Sequence, residues 1–343
     1  EVVSKAIQRL HELFDIGDLP QNALPHRKPP QFMVDLFNAV ADSDGITKEP
    51  GILEGNVVRS FEDKVHSDQS HYYFNLSSFG RKEKMIKAEL RIFRQKQSVV
   101  PGKSFGHHFC KIDVYELLDS GMKPWRGNLI TSRLLPLYTQ GWEVINVTQT
   151  VSKWILDSSS NHGFLIVTTL PSGNSLESRF GRNQKHGKHA FLVLFSDDGR
   201  RGSTATNISP LENAVPSDNQ VSKSRKIRSA SVSVERNPMS CQRLPLYVDF
   251  EEIGWSGWII SPKGYNAYHC KGSCPFPLGE GLRATNHATV QSIVNALKLS
   301  QDVEMPCCVP DKLHSINLLY FDDEENVVLK QYDDMVAVSC GCH

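Results

Sequence analysis

Apolar residues recur at the period of an α-helix in two stretches near the start of the chain. In the first stretch, one helical face carries Val3, Ala6, Ile7, Leu10, Leu13 and Phe14. The second stretch follows Pro29-Pro30, ends before Gly45, and has an apolar stripe of Phe32, Met33, Leu36, Phe37 and Val40. We therefore predict two amphipathic helices, which cover either the core of their own domain or a surface elsewhere.

From about residue 56 the pattern changes to the alternation that is typical of half-buried strands. The clearest run alternates Ile86, Ala88, Leu90 and Ile92 with Lys87, Glu89, Arg91 and Phe93. Similar runs predict strands at 71–79, 109–117, 142–151, 163–170 and 189–196, which together indicate a sandwich of two sheets. Cys110 shares a strand face with Ile112 and Val114, so a buried thiol is favoured over a reactive one, and a disulfide through this domain stays possible.

Residues 199–240 lack apolar periodicity and are rich in Ser, Asn, Arg and Pro, which is typical of a linker. Within this stretch, Arg225 and Arg228 have the R-x-x-R spacing that furin-type proprotein convertases require, although Ile227 departs from the preferred basic residue. The alternative is a basic patch for heparan sulfate or for nuclear import.

The last third of the chain predicts two long strand pairs and one helix. Tyr247, Val248, Phe250 and Ile253 begin the first pair, and the second pair extends from Leu313 to Val336 with an acidic turn at 322–325. The helix, at about 286–299, has an apolar stripe of Val290, Ile293, Val294 and Leu297. Because so small a domain has no other layer to cover this stripe, we expect it to pack on a second copy of the chain.

Seven of the eight cysteines lie in this last third, at Cys241, Cys270, Cys274, Cys307, Cys308, Cys340 and Cys342. Such density points to an oxidising compartment, where disulfides persist. Spacing alone leaves the connectivity open, and an odd cysteine suggests a bond between chains. A zinc site of Cys270, Cys274, Cys340, Cys342 and His343 would need reduced thiols, so it is disfavoured. Enzyme motifs are not found, and we predict no cofactor, metal or catalytic residue.

Charge and hydropathy narrow the possible partners. Lysine plus arginine and aspartate plus glutamate both total 38, which disfavours binding to nucleic acid. No apolar run reaches the roughly 18 residues of a membrane helix, so membrane insertion is not expected. Three sequons could carry N-linked glycans, at Asn75, Asn146 and Asn207. The chain begins at Glu1, and we interpret it as a secreted, extracellular precursor without its signal peptide.

Several segments of the last third resemble ligands of the transforming growth factor β superfamily, in its bone morphogenetic protein branch. The segments are Leu244–Phe250, Ile253–Trp255, Trp258–Ile260, Cys274–Leu278, Thr285–Ala288, Cys307–Pro310 and Cys340–His343. The resemblance implies a mainly β precursor with a few helices. Its expected parts are a prodomain at 1–198 (helical clasp 1–45, β arm domain 56–198), a linker at 199–240 with the convertase site, and a growth factor at 229–343 with its cystine knot at 241–343.

The resemblance also implies the disulfides of the growth factor. The expected pairs are Cys241–Cys308, Cys270–Cys340 and Cys274–Cys342, with Gly272 where the third bridge passes through the ring of the other two. Cys307 is then left to link two protomers.

Two receptor-binding surfaces follow from the same resemblance. The type I receptor is expected to contact Trp255, Trp258, Tyr332 and Met335 of one protomer with Phe276, Pro277, Leu278 and Val290 of the other. The type II receptor is expected to contact Ser261, Pro262, Asn317, Leu319 and Leu329. For the two tryptophans, packing within the finger is the alternative to a receptor contact.

The expected function is that of a growth factor whose processed homodimer, or heterodimer with another bone morphogenetic protein, activates Smad signalling through receptor ectodomains. Its other expected partners are its own prodomain, bound non-covalently, and secreted antagonists of bone morphogenetic proteins. Two alternatives stay open: an antagonist of the same fold that occupies receptors unproductively, and a cystine-knot module that binds extracellular partners.

Overall fold

The computed structural model describes residues 2–15, 28–49, 51–63, 70–96, 106, 108–119, 124–176, 189–200 and 239–343. The chain divides into two compact units. The first unit comprises residues 1–200, 247–265 and 315–332, and the second comprises 201–246, 266–314 and 333–343.

The described residues form mainly β-structure with four α-helices. The helices are α1 (Val2–Phe14), α2 (Gln31–Val40), α3 (Thr148–Leu156) and α4 (Asn286–Ala296). The strands up to residue 200 are β1 (Val57–Glu62), β2 (His71–Tyr72), β3 (Lys84–Arg94), β4 (Phe109–Leu117), β5 (Gly127–Pro136), β6 (Gly141–Asn146), β7 (Phe164–Thr169), β8 (Ser175–Leu176) and β9 (Phe191–Asp197). Those after it are β10 (Gln242–Leu244), β11 (Tyr247–Asp249), β12 (Ile259–Ser261), β13 (Gly264–Asn266), β14 (His269–Lys271), β15 (Cys308–Phe321) and β16 (Val327–Cys342).

The predicted sandwich is present in the first unit. One sheet has the order β12-β15-β16-β1-β9-β3-β6 and the other the order β2-β7-β4-β5. Its core includes Ala88, Leu90 and Ile92 from β3, and Cys110 and Ile112 from β4. Cys110 is buried, as the pattern favoured. Ile86 is 42% exposed despite its apolar phase, because a register shift between Met85 and Lys87 interrupts the alternation.

Two of the predicted strands are wrong in part. The run 142–151 is a strand only to Asn146, and α3 follows because Val147, Val151 and Trp154 bury one side of a helical turn. The Asn146 side chain accepts the backbone N–H of Thr148 at 3.0 Å, which turns the chain at this boundary. The run 71–79 is a strand only at β2, because a turn follows in which Asn75 accepts the backbone N–H of Ser77 at 3.0 Å.

The larger sheet joins strands from distant parts of the sequence. β1 pairs antiparallel with β9 on one side and with β16 on the other, where Val57 lies opposite Lys330 and Ser60 opposite Val327. The hairpin of β15 and β16, which we call the second finger, therefore continues into the sheet of the N-terminal region. The sequence pattern predicted β9 and the strands of the finger, but it named no strand at β1 and did not predict this pairing.

The second unit contains the knotted disulfides. They join Cys241 to Cys308, Cys270 to Cys340 and Cys274 to Cys342. Cys307 is exposed and unbonded to another cysteine. Gly272 has φ +133°, and a Cβ there would lie 2.4 Å from the Ser240 carbonyl oxygen and 2.6 Å from the Cys241 nitrogen. Only glycine tolerates both this backbone conformation and this approach.

Replacement of Gly272 should therefore disturb the knot. We expect Gly272→Ala to lower the free energy of unfolding by about 2 kcal/mol or more, because the backbone must shift beside Cys241. Thermal denaturation and non-reducing peptide mapping would measure the effect. Gly279→Ala is the matched control, because Gly279 has φ −71° and no heavy atom within 4 Å of a Cβ. A Gly272→Ala protein as stable as this control would contradict the prediction.

Candidate functional site

Three of the residues predicted for the type I receptor lie in the first unit, where Trp255 and Trp258 pack with Phe250 and the Phe14 ring contacts both Trp255 and Tyr332. We call Phe250, Trp255, Trp258 and Tyr332 the aromatic cluster. The backbone N–H of Trp255 donates to the Phe250 carbonyl at 2.7 Å and closes the turn that presents the indole. The Trp255 and Trp258 rings lie 5.2 Å apart, and the Phe250 ring stacks on Trp255 at 5.9 Å. Finger packing therefore holds the side chains of Phe250, Trp255 and Trp258 together.

Helix α1 covers this aromatic cluster. The Phe14 ring lies edge-on at 5.1 Å from Trp255 and 5.0 Å from Tyr332. The Tyr332 hydroxyl donates to the Phe14 carbonyl at 2.8 Å, and the Trp255 indole N–H donates to Nε2 of His11 at 3.0 Å. Trp255, Trp258 and Tyr332 keep only 1%, 4% and 8% of their surface exposed, and burial raises the pKa of Tyr332 well above its ordinary value.

Helix α2 covers the opposite face of the second finger. Its Met33, Phe37 and Val40 are spaced at i, i+4 and i+7 and pack in one buried cluster with Leu319 and Leu329. Both leucines belong to the set predicted for the type II receptor, and both are buried. The apolar stripe of α2 therefore packs both on the finger and on the N-terminal region's own strands, since Val58 of β1 and Val193 of β9 belong to the same cluster.

The loop after α2 extends this coverage along the edge of β15. The Asn317 backbone N–H donates to the Gly45 carbonyl at 2.7 Å, and the Thr47 N–H donates to the Ser315 carbonyl at 3.0 Å. The Thr47 hydroxyl also bonds to the side chains of Ser315 and Asn317 at 2.7 and 2.9 Å. A Cβ on Gly45 would lie 2.8 Å from the Pro262 ring and 2.9 Å from the Asn317 carbonyl oxygen, so the contact requires glycine.

A buried ion pair fixes β16 to the end of β9. Lys330 Nζ lies 2.9 Å from an Asp198 carboxylate oxygen and 3.5 Å from an Asp15 oxygen. Burial alone would raise the pKa of Asp198, but hydrogen bonds from Asn56 and Arg200 together with Lys330 lower it below its ordinary value. The pair therefore stays charged at neutral and mildly acidic pH.

A second ion pair lies at the tip of the finger. The Arg59 guanidinium bonds to Glu83 and reaches to 3.9 Å from an Asp322 oxygen. Burial acts to lower the pKa of Arg59, but Glu83 and Asp322 raise it above its ordinary value. The acidic turn is therefore only partly solvated, since Asp322 also accepts the backbone N–H groups of Glu324 and Asn326.

The remaining residues of the predicted type I surface belong to the second unit. Phe276 is 51% exposed and Val290 is 61% exposed, Pro277 is exposed, and Leu278 and Met335 are half-buried. Helix α4 buries Ala288 and Ser292, whereas Ile293 and Leu297 of its apolar stripe remain exposed. This uncovered stripe and the exposed Cys307 are the features expected of a surface that a second copy covers.

Other predicted sites fall at the surface or outside the described residues. Asn75 and Asn146 are exposed, whereas Asn207, Arg225 and Arg228 lie outside the described part of the chain. Ser261 is half-buried and Pro262 is buried. The sulfurs of Cys241, Cys274 and Cys342 lie within 4.8 Å of one another, but each belongs to a disulfide and cannot act as a thiolate ligand.

Sequence reasoning included the apolar contacts of α1 and α2 in its predicted stripes, but it missed the polar side chains through which the N-terminal region contacts the finger. Phe14 stood in a predicted apolar stripe, so its burial could have been found. The sequence signal for Lys330 was weaker. It is a single charged residue that directly follows Val327, Val328 and Leu329 in a strand. His11 and Asp198 carried none, because their partners are distant in the sequence.

Comparisons with known proteins agree with this arrangement. The family model of the transforming growth factor beta like domain matches residues 240–342, and the TGF-beta propeptide model matches residues 8–195. The chain is 32% identical to bone morphogenetic protein 2 of Tetraodon nigroviridis, over 91% of this chain and 82% of that protein. It is 34% identical to bone morphogenetic protein 4 of Rattus norvegicus, over 84% of this chain and 72% of that protein.

Among the described residues, no helix is long and apolar enough to cross a membrane. The propeptide match, the growth-factor match and the knotted disulfides lie in one chain, in the order of a growth factor precursor. The protein therefore belongs to the transforming growth factor β family, in its bone morphogenetic protein branch, and is a signalling ligand rather than an enzyme.

Proposed function

We propose that this chain is a secreted precursor whose processed, disulfide-linked dimer binds type I and type II receptor kinases and activates Smad signalling. The proposal rests on the observation that two parts of the N-terminal region cover the finger. Helix α1 lies on the aromatic cluster expected to bind the type I receptor, and α2 with the 45–47 loop lies on the face expected to bind the type II receptor. Large apolar surfaces that need such covers are typical of binding sites.

Dimerisation is supported by the second unit. The stripe of α4 is amphipathic but uncovered within the chain, and the exposed Cys307 offers a thiol for a bond between protomers. Burial of this stripe against the fingers of a second copy would complete a domain whose own core is small. Cleavage after Arg228, in the R-x-x-R motif, would then break the covalent link between the dimer and its propeptide.

A same-fold antagonist is the second candidate, because it would present the same surfaces. The processed dimer, applied to responsive cells, should cause phosphorylation of receptor-regulated Smad proteins. Trp258→Ala should abolish this signal while type II receptor binding persists, because loss of a central aromatic typically costs 2 kcal/mol or more, roughly 30-fold in affinity. Binding to immobilised receptor ectodomains would measure both affinities.

Leu278→Pro is the second variant for this test, because Leu278 lies outside the buried aromatic cluster and its loss spares finger packing. Receptor binding by the wild type without Smad phosphorylation would favour the antagonist. Normal type I binding by both variants would contradict the proposed surface, and failure of Trp258→Ala alone to be secreted would assign that indole to packing.

Coverage by α1 can be tested in the uncleaved precursor. Phe14→Ala should increase the affinity of the precursor for the type I receptor by about tenfold or more, because a buried phenylalanine contributes several kcal/mol to the packing of α1. Leu13→Ala is the matched control, since Leu13 is 59% exposed on the same turn. Surface plasmon resonance with type I ectodomain would measure the change. Equal affinities for the two variants would argue against the cover.

The covalent link of the dimer depends on one cysteine. Cys307→Ser should yield a growth factor that migrates as a monomer on non-reducing gels, because the other six cysteines of the growth factor are bonded within the chain. Cys110→Ala is the control, because this buried thiol should leave the covalent dimer intact. A covalent dimer in the Cys307→Ser variant would show that another cysteine makes the link.

A further inference from the structure

A cavity of about 700 Å³ opens between the two sheets of the sandwich, beside the first turn of α3. Cavities that hold small ligands have volumes of roughly 300–1,000 Å³. The larger sheet contributes Ile86 and Lys87 of β3, and the smaller sheet contributes Glu116 of β4 and Leu129 of β5. None of these residues belongs to a receptor surface or to the disulfide knot, so the function proposed above leaves the cavity without a role.

Two apolar side chains in the lining of this cavity are exposed. Ile86 is 42% exposed at the register shift in β3, and Leu129 is 56% exposed on β5, which is an edge strand of the smaller sheet. Apolar surface that is gathered in one concavity, rather than scattered singly, is typical of a contact surface. The cavity therefore favours an occupant with apolar area of its own.

The charged groups of the lining balance one another. They are two carboxylates, Glu54 and Glu116, and two ammonium groups, Lys87 and Lys153. Glu116 pairs with Lys153 at 3.2 Å, and Lys87 pairs with Glu89 at 2.7 Å. A lining of mixed sign does not concentrate ligands of one charge, but its side chains still offer hydrogen-bond donors and acceptors. This chemistry favours a neutral occupant that carries both polar groups and apolar faces.

Asn146, the acceptor asparagine of one predicted sequon, belongs to the lining itself. Its Oδ1 accepts the Thr148 backbone N–H at 3.0 Å and the Thr148 hydroxyl at 2.8 Å. That hydroxyl oxygen accepts the backbone N–H of Ala88 at 3.0 Å, so the carbonyl end of the Asn146 side chain is fixed. Its Nδ2, the atom that carries an N-linked sugar, makes no hydrogen bond within the described part of the chain.

We propose that the N-linked glycan of Asn146 folds back into this cavity, where its first sugars cover Ile86 and Leu129. An N-acetylglucosamine residue is neutral, and it presents C–H groups on its ring faces and hydroxyl and amide groups at its rim, which matches the lining. The inference goes beyond the proposed function and rests on it only for passage of the chain through the secretory pathway.

Attachment of the sugar leaves the local structure intact. Transfer of the oligosaccharide from a lipid diphosphate donor forms a bond from Nδ2 of Asn146 to C1 of the sugar. It breaks the bond from C1 to a phosphate oxygen and releases the lipid diphosphate and a proton. Because Oδ1 takes no part in this exchange, both hydrogen bonds from Thr148 persist in the glycosylated chain.

Enzymatic release of the glycan from the full, uncleaved chain would test this docking. The protein, expressed with uniform oligomannose glycans, is treated in its native and its unfolded state with endoglycosidase H, which leaves one N-acetylglucosamine on each asparagine. Mass spectrometry of the peptides then reports each site separately. We expect the Asn146 glycan to be released about tenfold more slowly from the native chain, because the enzyme acts only on the undocked sugar.

Asn75 is the reference site for this measurement. Its Oδ1 also accepts a backbone N–H two residues on, that of Ser77 at 3.0 Å, but it does not belong to the lining of the cavity. Its glycan should therefore be released at about the same rate from the native and the unfolded chain.

A pair of substitutions in β5 distinguishes docking from simple crowding by the protein surface. Leu129→Ser removes apolar area from the cavity and should speed native release at Asn146 by about fivefold. Leu134→Ser is the matched control, because Leu134 is 71% exposed on the same strand and lies outside the lining. It should leave the rate unchanged.

A second readout follows the apolar surface itself. Asn146→Asp keeps an oxygen acceptor for Thr148 but carries no sugar, so it should bind more of a hydrophobic dye than the wild type. Leu129→Ser in the same chain should bring dye binding back toward the wild-type level. Asn75→Asp is the control, and it should bind no more dye than the wild type.

The docking would be overturned by equal native and unfolded release at Asn146, by equal rates in Leu129→Ser and Leu134→Ser, or by unchanged dye binding in Asn146→Asp. A secreted wild-type protein without a glycan at Asn146 would overturn it as well. These results leave receptor binding and Smad signalling untouched. A wild type that never leaves the cell would instead count against the proposed function.

Discussion

The second finger needs partners along its outer edges, and the rest of the first unit depends on this constraint. A two-stranded hairpin leaves a row of unpaired backbone N–H and C=O groups on each outer edge, and such edges promote aggregation. Here β1 pairs with β16, and the loop at Gly45–Thr47 bonds to the edge of β15. The propeptide therefore completes a sheet that the growth factor cannot complete alone.

Side chains give this backbone pairing its specificity. Backbone ladders tolerate a shift in register, but the Lys330–Asp198 pair and the Arg59 contacts fix which residues lie opposite one another. Removing one partner of a buried ion pair leaves an uncompensated charge. This costs more free energy than the intact pair contributes to stability. Lys330 and Arg59 both lie within the β1–β16 pairing, so a slipped register would lose the Lys330–Asp198 pair and the contact of Arg59 with Asp322.

Sequence patterns gave a correct account of features with a local origin. The period of α1 and α2, the alternation in β3 and β4, and the helix at α4 follow from side chains close in the chain. The boundary at Asn146 and the short β2 were misjudged, because a side-chain hydrogen bond turns the chain there and apolar periodicity does not record it. The β5 strand was overlooked, since most of its residues are exposed at a sheet edge and it lacks alternation.

The pairing of Val58 with Leu329 joins residues that are distant in sequence, and no single-sequence pattern specifies it. Receptor contacts and the convertase site could be named only through family resemblance.

The β1–β16 pairing also separates two events that are easily treated as one. Cutting the linker breaks a covalent bond, but it breaks none of the hydrogen bonds, ion pairs or aromatic contacts that join the propeptide to the finger. Those contacts lie at several separate places. When one contact opens, the others hold the two parts together, and the open contact can form again. The time at which a growth factor becomes available is then set by how long the cut complex lives. Under the proposed function, a complex that outlives its cleavage would diffuse before it acts, so the propeptide would also set the distance over which the signal travels.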